Sequence, residues 1–229
     1  MKISKRLKMS ADLVPESVLL ADIGTDHGYL PVYAVEKGKV KQAVASDISK
    51  GSAEKAYENV LSSRLSDKIE VRCGNGLEPL KPDEFPDTIV LTGMGGVLMT
   101  EILDKGIEKT KAAKCLILQP QHNIDKVRAY IHSIGFKITA EDITFEQGKY
   151  YFALKCEKGA DLPYSAADLE TGRFLPKSGN PLFKEFLKSK IKKYSESIKT
   201  AYEKNPETDI QKLEEKLKIL KEVYEDAEM

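Results

Sequence analysis

The sequence predicts an α/β protein: a mostly parallel sheet with helices on both faces, an antiparallel hairpin at one edge, and a helical hairpin after it. Three observations carry this. From about residue 17 to 156, short apolar runs alternate with amphipathic stretches, the pattern of strands joined by crossover helices. The last two runs in that region have no helix between them. The tail then changes to a helical apolar period.

Taken in order, Ser17 to Ile23 reads as a buried strand and Leu30 to Glu36 as a short helix. Gln42 to Asp47 is strand-like, Ser49 to Ser62 helix-like, and Ile69 to Arg72 a short strand. Asp87 to Thr92 is a further strand, followed by a helix over Val97 to Asp104. Cys115 to Gln119 is a strand and Asn123 to Ser133 a helix. Lys137 to Thr144 and Tyr150 to Cys156 are strands joined through Gly148, which predicts the edge hairpin. Glycines and prolines then punctuate a linker-like stretch. Beyond it, Leu187, Ile191, Tyr194, Ile198 and Ala201 are spaced 4, 3, 4, 3, and Ile210, Leu213, Leu217, Leu220 and Tyr224 are spaced 3, 4, 3, 4. Asn205-Pro206 fits an N-cap and first helical position, so the second helix is predicted to start there. Matching heptad stripes predict an antiparallel coiled-coil hairpin. The predicted organisation is a first domain over 1–158, a linker over 159–181 and the hairpin over 182–229.

Composition narrows the function. The 229 residues are 41% hydrophobic and 31% charged, enough for a core and too apolar for a disordered chain. Lys and Arg total 36 and so do Asp and Glu, so nucleic-acid binding by bulk charge is excluded while a local basic patch is not. Three cysteines without CxxC spacing argue against a disulfide framework or zinc ribbon and for reduced, packed thiols. No apolar run approaches a membrane span, and the basic start has no apolar segment behind it. A soluble cytoplasmic protein is expected, a monomer or a weak dimer, with no membrane partner. No His, Cys and carboxylate cluster has metal-ligand spacing, so no metal is expected. No nucleophile elbow is present. His122 and His132 have no role in any motif.

The chemistry sits in the loop after the first strand, Asp22-Ile23-Gly24-Thr25-Asp26-His27-Gly28-Tyr29. In α/β sheets ligands bind beyond the carboxyl ends of the strands. Gly24 and Gly28 permit a tight turn and close approach. A dinucleotide fingerprint would place glycine where Asp26 stands, and an anionic side chain beside a pyrophosphate is electrostatically wrong. Asp22 and Asp26 instead suit a cationic ligand without phosphate, and S-adenosylmethionine carries a sulfonium and an ammonium. Asp47, 23 residues after Gly24 at the end of the second strand and followed by Ile48, can accept both ribose hydroxyls. Gly74-Asn75-Gly76 offers an amide matching the edge of adenine. Thr92-Gly93-Met94-Gly95-Gly96 and Gln119-Pro120-Gln121 end the fourth and fifth strands. Singly, each has an ordinary alternative: a βα turn, a charge near a helix N-cap, a glycine turn, an exposed loop histidine. The combination at successive strand ends is far more specific. Two other classes stay open from the residues alone, a Rossmann-like oxidoreductase and a non-catalytic RNA-binding protein. Thermal stabilisation by S-adenosylmethionine but not NAD, and transfer of a labelled methyl group from that cofactor, separate them.

In these motifs the chain resembles the bacterial tRNA (adenine(22)-N1)-methyltransferases. The resemblance rests on Arg6-Leu7, Asp22 to Leu30, Ser46-Asp47-Ile48, Gly74-Asn75-Gly76-Leu77, Thr92 to Gly96 and Leu118-Gln119-Pro120, and runs over residues 1 to about 156. The tail resembles the family's C-terminal coiled coil in kind and position. The resemblance implies a seven-stranded Rossmann-like methyltransferase sheet and transfer of a methyl group from S-adenosylmethionine to N1 of a tRNA adenine, leaving S-adenosylhomocysteine. The expected cofactor contacts are Asp22, Gly24, Thr25, Asp26, His27, Gly28, Asp47, Ile48, Asn75, Gly76, Gly93 and Met94. Adenine N1 has a free lone pair, so alignment matters more than a base. Asp26, and less directly His27, are the candidates for stabilising the purine as it becomes cationic.

Binding tRNA needs local cations. One cluster is Lys2, Lys5, Arg6 and Lys8, before the first acidic residue, Asp12. The other lies on the first tail helix, where Lys184 to Lys204 holds 7 Lys against 3 acidic residues, Lys188 and Lys192 among them. Both are also compatible with solvated helix faces, that of the tail pairing across the hairpin.

Overall fold

The computed structural model describes residues 3–205 and 209–227. Lys2, expected among the RNA-binding residues, lies outside them. The chain divides into two compact units, Met1–Leu162 and Pro163–Met229.

The first unit runs α1 (Lys5–Leu13), β1 (Ser17–Ile23), α2 (Tyr29–Glu36), β2 (Val40–Asp47), α3 (Lys50–Ser62), β3 (Ile69–Cys73), β4 (Thr88–Met94), α4 (Gly96–Lys105), α5 (Ile107–Ala112), β5 (Cys115–Pro120), α6 (Ile124–Ser133), β6 (Phe136–Glu146) and β7 (Lys149–Lys158). The seven strands form one sheet in the order β3-β2-β1-β4-β5-β7-β6. The first five are parallel to one another; β7 is antiparallel to both β5 and β6. The fold is the seven-stranded Rossmann-like sheet that the resemblance implied. The alternation of strand side chains sorts the core. Leu20, Ala43, Ala45, Val90 and Ile117 point to one face and pack with Ala11 of α1, Leu30 of α2 and Val60 of α3. Leu116 and Leu118, on the other face, are fully buried as well. Central strands buried on both faces explain why their sequences read as continuous apolar runs rather than alternating ones.

The hairpin turns through Gln147 and Gly148, both at positive φ (50° and 76°), the two-residue geometry that matches strand twist. A buried ion pair joins α6 to β6: the Arg128 guanidinium donates from Nε (3.0 Å) and Nη2 (2.7 Å) to Glu141 Oε1. Helix α1 and helix α5 have no counterpart among the predicted elements. Helix α1 starts at Ser4, whose hydroxyl accepts the Leu7 N–H, and buries only Met9, Ser10 and Ala11.

In the second unit the stretch predicted as linker carries structure. Helix α7 (Ala166–Thr171) opens on a capping box between Ser165 and Asp168, and a 3₁₀ turn covers Leu175–Lys177. Glu170 of α7 pairs with Lys216 at 2.8 Å. Helices α8 (Pro181–Lys204) and α9 (Gln211–Asp226) form the hairpin. Lys188 lies over the Tyr224 ring and the Tyr202 hydroxyl faces Glu214, so the helices run antiparallel. The predicted start of the second helix at Asn205-Pro206 is corrected. Asn205 is extended and closes α8, and α9 begins at Gln211, whose N–H is taken by the Asp209 carboxylate at 3.1 Å. Pro206 lies outside the described residues.

Candidate active site

After β1 the chain builds β2 and β3 on one side of it, then returns to place β4 on the other. The order therefore reverses between β1 and β4, the switch point at which such sheets form a ligand crevice beyond the carboxyl ends. The loops after β1, β2, β3 and β4 border it.

The β1 loop is held by the neighbouring strand end. Gly24 and Thr25 both donate their N–H to the Ser46 carbonyl, at 2.8 and 2.9 Å. Gly24 has φ +75°, which strains any side chain, and a Cβ there would lie 2.7 Å from the Met94 methyl and displace it. Met94 thus closes against the β1 loop from the β4 side.

Asp22 is buried and accepts the Thr25 hydroxyl through Oδ2 at 2.5 Å. Its other oxygen, Oδ1, is buried without a partner. Burial, and then the nearby Asp47 charge, push its carboxyl up to about 7, against the opposing Thr25 hydrogen bond. An unpaired buried carboxylate is a demand for a cationic or hydrogen-bonding ligand.

Asp47 is fixed by backbone donors on both oxygens: Ser49 N–H to Oδ1 at 2.8 Å and Asp26 N–H to Oδ2 at 3.1 Å. Each oxygen keeps a free lone pair. Beside it Ile48 is 70% exposed, an apolar side chain with no core to cover it. Asn75 and Gly76 follow β3, and Gly74 N–H is bound by the Asp47 carbonyl at 2.9 Å, which ties this loop to the β2 end. Asn75 and Gly76 also line one end of a 420 Å³ cavity whose other walls include α4 and α5; Asp22, Asp26 and Asp47 do not border it.

Asp26 and His27 sit on the α3 side of the loop. The Asp26 carboxylate accepts from the Ser52 hydroxyl at 3.3 Å and lies 3.5 Å from His27 Nε2. The His27 ring stacks on Tyr29, with centroids 5.2 Å apart. The contacts of both side chains are thus with α2 and α3, not with the loop after β4.

The β4 loop interlocks with the β5 loop. Gly96 N–H is held by the His122 carbonyl at 2.9 Å, and a Cβ on Gly95 would lie 2.3 Å from the His122 ring. His122, which belongs to no sequence motif, is what Gly95 makes room for. Gly93 donates to Gln119 Oε1 at 3.2 Å, and the Gln119 Nε2 is buried without a partner. Gln119, noted in the sequence as part of the Gln119-Pro120-Gln121 strand end but assigned no contact there, is thus a residue of the site.

Of the basic clusters, Arg6 reaches the site. Its Nη1 is 3.5 Å from where a Gly93 Cβ would stand, and its guanidinium lies 5.6 Å from the Tyr151 ring centre. Lys5 is exposed, and its backbone N–H is taken by Glu146. Lys8 turns away, onto Asp12 and the Tyr33 ring. On α8, Lys188 covers Tyr224 and Lys192 is an exposed partner of Glu196. Among the described residues no group of His, Cys, Asp or Glu is arranged to hold a metal ion, and no helix is long and apolar enough to cross a membrane.

Comparison with known proteins gives one answer. A family model described as tRNA (adenine(22)-N(1))-methyltransferase matches residues 20–222. A tRNA (adenine(22)-N(1))-methyltransferase of Bacillus subtilis is 35% identical over 241 residues, covering 98% of each chain. A Streptococcus pneumoniae structure in complex with S-adenosyl-L-methionine superposes with a TM-score of 0.87 at 36% identity, over 97% of this chain and 100% of that one. Mycoplasma capricolum TrmK in complex with S-adenosyl-homocysteine superposes with a TM-score of 0.87 at 26% identity, over 99% and 100%.

Proposed function

The chain belongs to the tRNA (adenine(22)-N(1))-methyltransferase family, and we infer that it transfers the methyl group of S-adenosyl-L-methionine to N1 of adenine 22 in tRNA. The observation that carries the reading is the buried, half-unpaired carboxylate of Asp22 at the head of a loop with no phosphate cradle. It calls for a cation, and the sulfonium cofactor provides an electrophilic methyl group together with positive charge.

The residues fit that group. Asp47 is oriented by two backbone N–H groups to receive the ribose hydroxyls. Ile48 gives the adenine ring an apolar face, and Asn75 stands at the rim with an amide for its edge. Gly24, Thr25 and Gly28 bring backbone close, and Gly93 and Met94 close the crevice from the β4 side. Asp22 faces the cationic end. Asp26 and His27 are the acidic and imidazole groups nearest to this arrangement that the solvent still reaches. Their α3-side contacts favour holding the cofactor over touching the purine. Adenine N1 needs no base, so what the protein supplies is alignment and an acidic, partly water-excluded surround as charge moves onto the purine. N1 lies on the Watson–Crick edge, so the target base must leave its pairing or stacking partners to react.

The tRNA contacts we assign are Lys5, Arg6 and Lys8 on α1 and Lys188 and Lys192 on α8. The enzyme works as a monomer or weak dimer in the cytoplasm, where tRNA is found. The test is nucleoside mass spectrometry of tRNA incubated with protein and cofactor. N1-methyladenosine must appear, and must vanish from a transcript carrying guanine at position 22; unmodified wild-type transcript would overturn the reading.

A further inference from the structure

The β6–β7 hairpin extends past the sheet it edges. Leu118 is the last residue of β5 paired with β7, opposite Leu154. Continuing that antiparallel register sets Pro120, the end of β5, opposite Phe152. Lys149, Tyr150 and Tyr151 therefore have no β5 residue beside them, and at about 3.4 Å per residue the tip projects about 10 Å beyond the strand end. Because β6 runs parallel to β5, this projection is on the carboxyl side, the side of the crevice.

The overhang is tied to the site. Glu146 accepts the Lys5 N–H at 3.0 Å and lies 3.9 Å from Arg6 Nε. Arg6 in turn lies over Tyr151, with Nη1 3.5 Å from where a Gly93 Cβ would stand. So α1 bridges from the tip to the carboxyl end of β4. The two-residue turn alternates the faces: Glu146 and Tyr151 face α1, while Phe145 and Tyr150 are cross-strand neighbours on the opposite face. Their ring centroids are 4.7 Å apart at 53°, and Phe145 is 42% exposed. Phe145 thus presents a ring to solvent at the projecting tip, with Tyr150 half-buried beside it, while the turn itself needs only Gln147 and Gly148.

Resting on the reading that the substrate is tRNA, we propose that Phe145 and Tyr150 form a stacking platform for an unpaired base of that tRNA beside the methyl-transfer site. A base whose Watson–Crick edge is freed for methylation leaves an unstacked neighbourhood, and aromatic side chains replace lost base stacking in single-stranded RNA recognition.

The test is steady-state methylation of tRNA by the full-length Phe145→Leu/Tyr150→Leu variant, which keeps apolar bulk and removes both ring faces. The KM for tRNA is expected to rise at least about fivefold, the scale of one lost base–aromatic stack. The dissociation constant for S-adenosylmethionine and the melting temperature stay at wild-type values. The swapped pair Phe145→Tyr/Tyr150→Phe restores KM to within about twofold, which a purely structural role for the pair does not require. Should the double variant lose its fold, the single Phe145→Leu change at the exposed ring decides instead, with a KM rise above twofold expected. A folded, cofactor-binding variant with unchanged KM for tRNA overturns the platform, as does an aromatic swap as impaired as the leucine pair. Wild-type protein that fails to methylate tRNA sinks the functional reading itself.

Discussion

Replacing Asp22 by asparagine should separate stability from cofactor binding, in opposite directions. The side chain keeps its shape, and its carbonyl oxygen can still accept the Thr25 hydroxyl. The free protein holds a proton on Asp22 up to about pH 7, while an unfolded chain releases it near the ordinary aspartate value of 3.8. Between those limits the folded state binds more protons than the unfolded one, so stability falls as pH rises, and levels off above about 7. From pH 5 to pH 8 the window covers about two units, or roughly 3 kcal/mol as an upper figure for a fully buried group. The asparagine variant lacks this loss. Its stability relative to wild type, from urea unfolding, should therefore improve by up to about 3 kcal/mol between pH 5 and pH 8. Any fixed penalty from the new buried amide N–H₂ cancels in that difference. Cofactor binding should go the other way: calorimetry at pH 8 should show S-adenosylmethionine binding weakened about tenfold or more, because a cation loses its carboxylate. A stability difference between the two proteins that does not change with pH would refute the buried, proton-holding Asp22.

Asp47→Ala removes both prospective ribose bonds and should weaken S-adenosylmethionine about tenfold or more in calorimetry, with a folded protein at the end of the titration. Asp26→Asn should lower the single-turnover methylation rate at saturating cofactor while leaving the melting temperature near wild type, since its side chain is 65% exposed; an unchanged rate removes it from both catalysis and positioning. Arg6→Ala should weaken tRNA binding and reduce the slope of log K against log salt by about one, the signature of one lost phosphate contact, with cofactor affinity intact.

Much of this was legible in the sequence because it is local. The seven strands follow from apolar runs that parallel, doubly covered strands require, as in Ser17–Ile23 and Cys115–Pro120. The edge hairpin follows from Gly148 between two such runs. What could not be read depends on contacts distant along the chain. Helix α1 has few apolar residues and is placed by Glu146 and Tyr151, more than 130 positions away, so neither its packing nor the reach of Arg6 to Gly93 has a local signal. The basic cluster Lys5, Arg6 and Lys8 looked uniform, yet only Arg6 faces the crevice, because helical geometry turns Lys8 toward Asp12 and Tyr33. The start of α9 was misplaced because Asn205-Pro206 is a sound local signal, overridden by Asp209 five residues before the first full turn closes.

The glycines illustrate how a motif can be found for one reason and kept for another. Gly24 reads in the sequence as the turn that lets a ligand approach; in the fold its missing Cβ is also the space filled by the Met94 methyl. Gly95 likewise gives way to the His122 ring, and Gly96 N–H is bound by the His122 carbonyl. The loops after β1, β4 and β5 therefore brace one another in series, and the chain of contact continues through Gln119 and Gly93 to Arg6. On the proposed reading, such a series would hold the cofactor side and the RNA side of the crevice in one geometry, which serves a reaction whose barrier is lowered chiefly by lining up N1, methyl and sulfur.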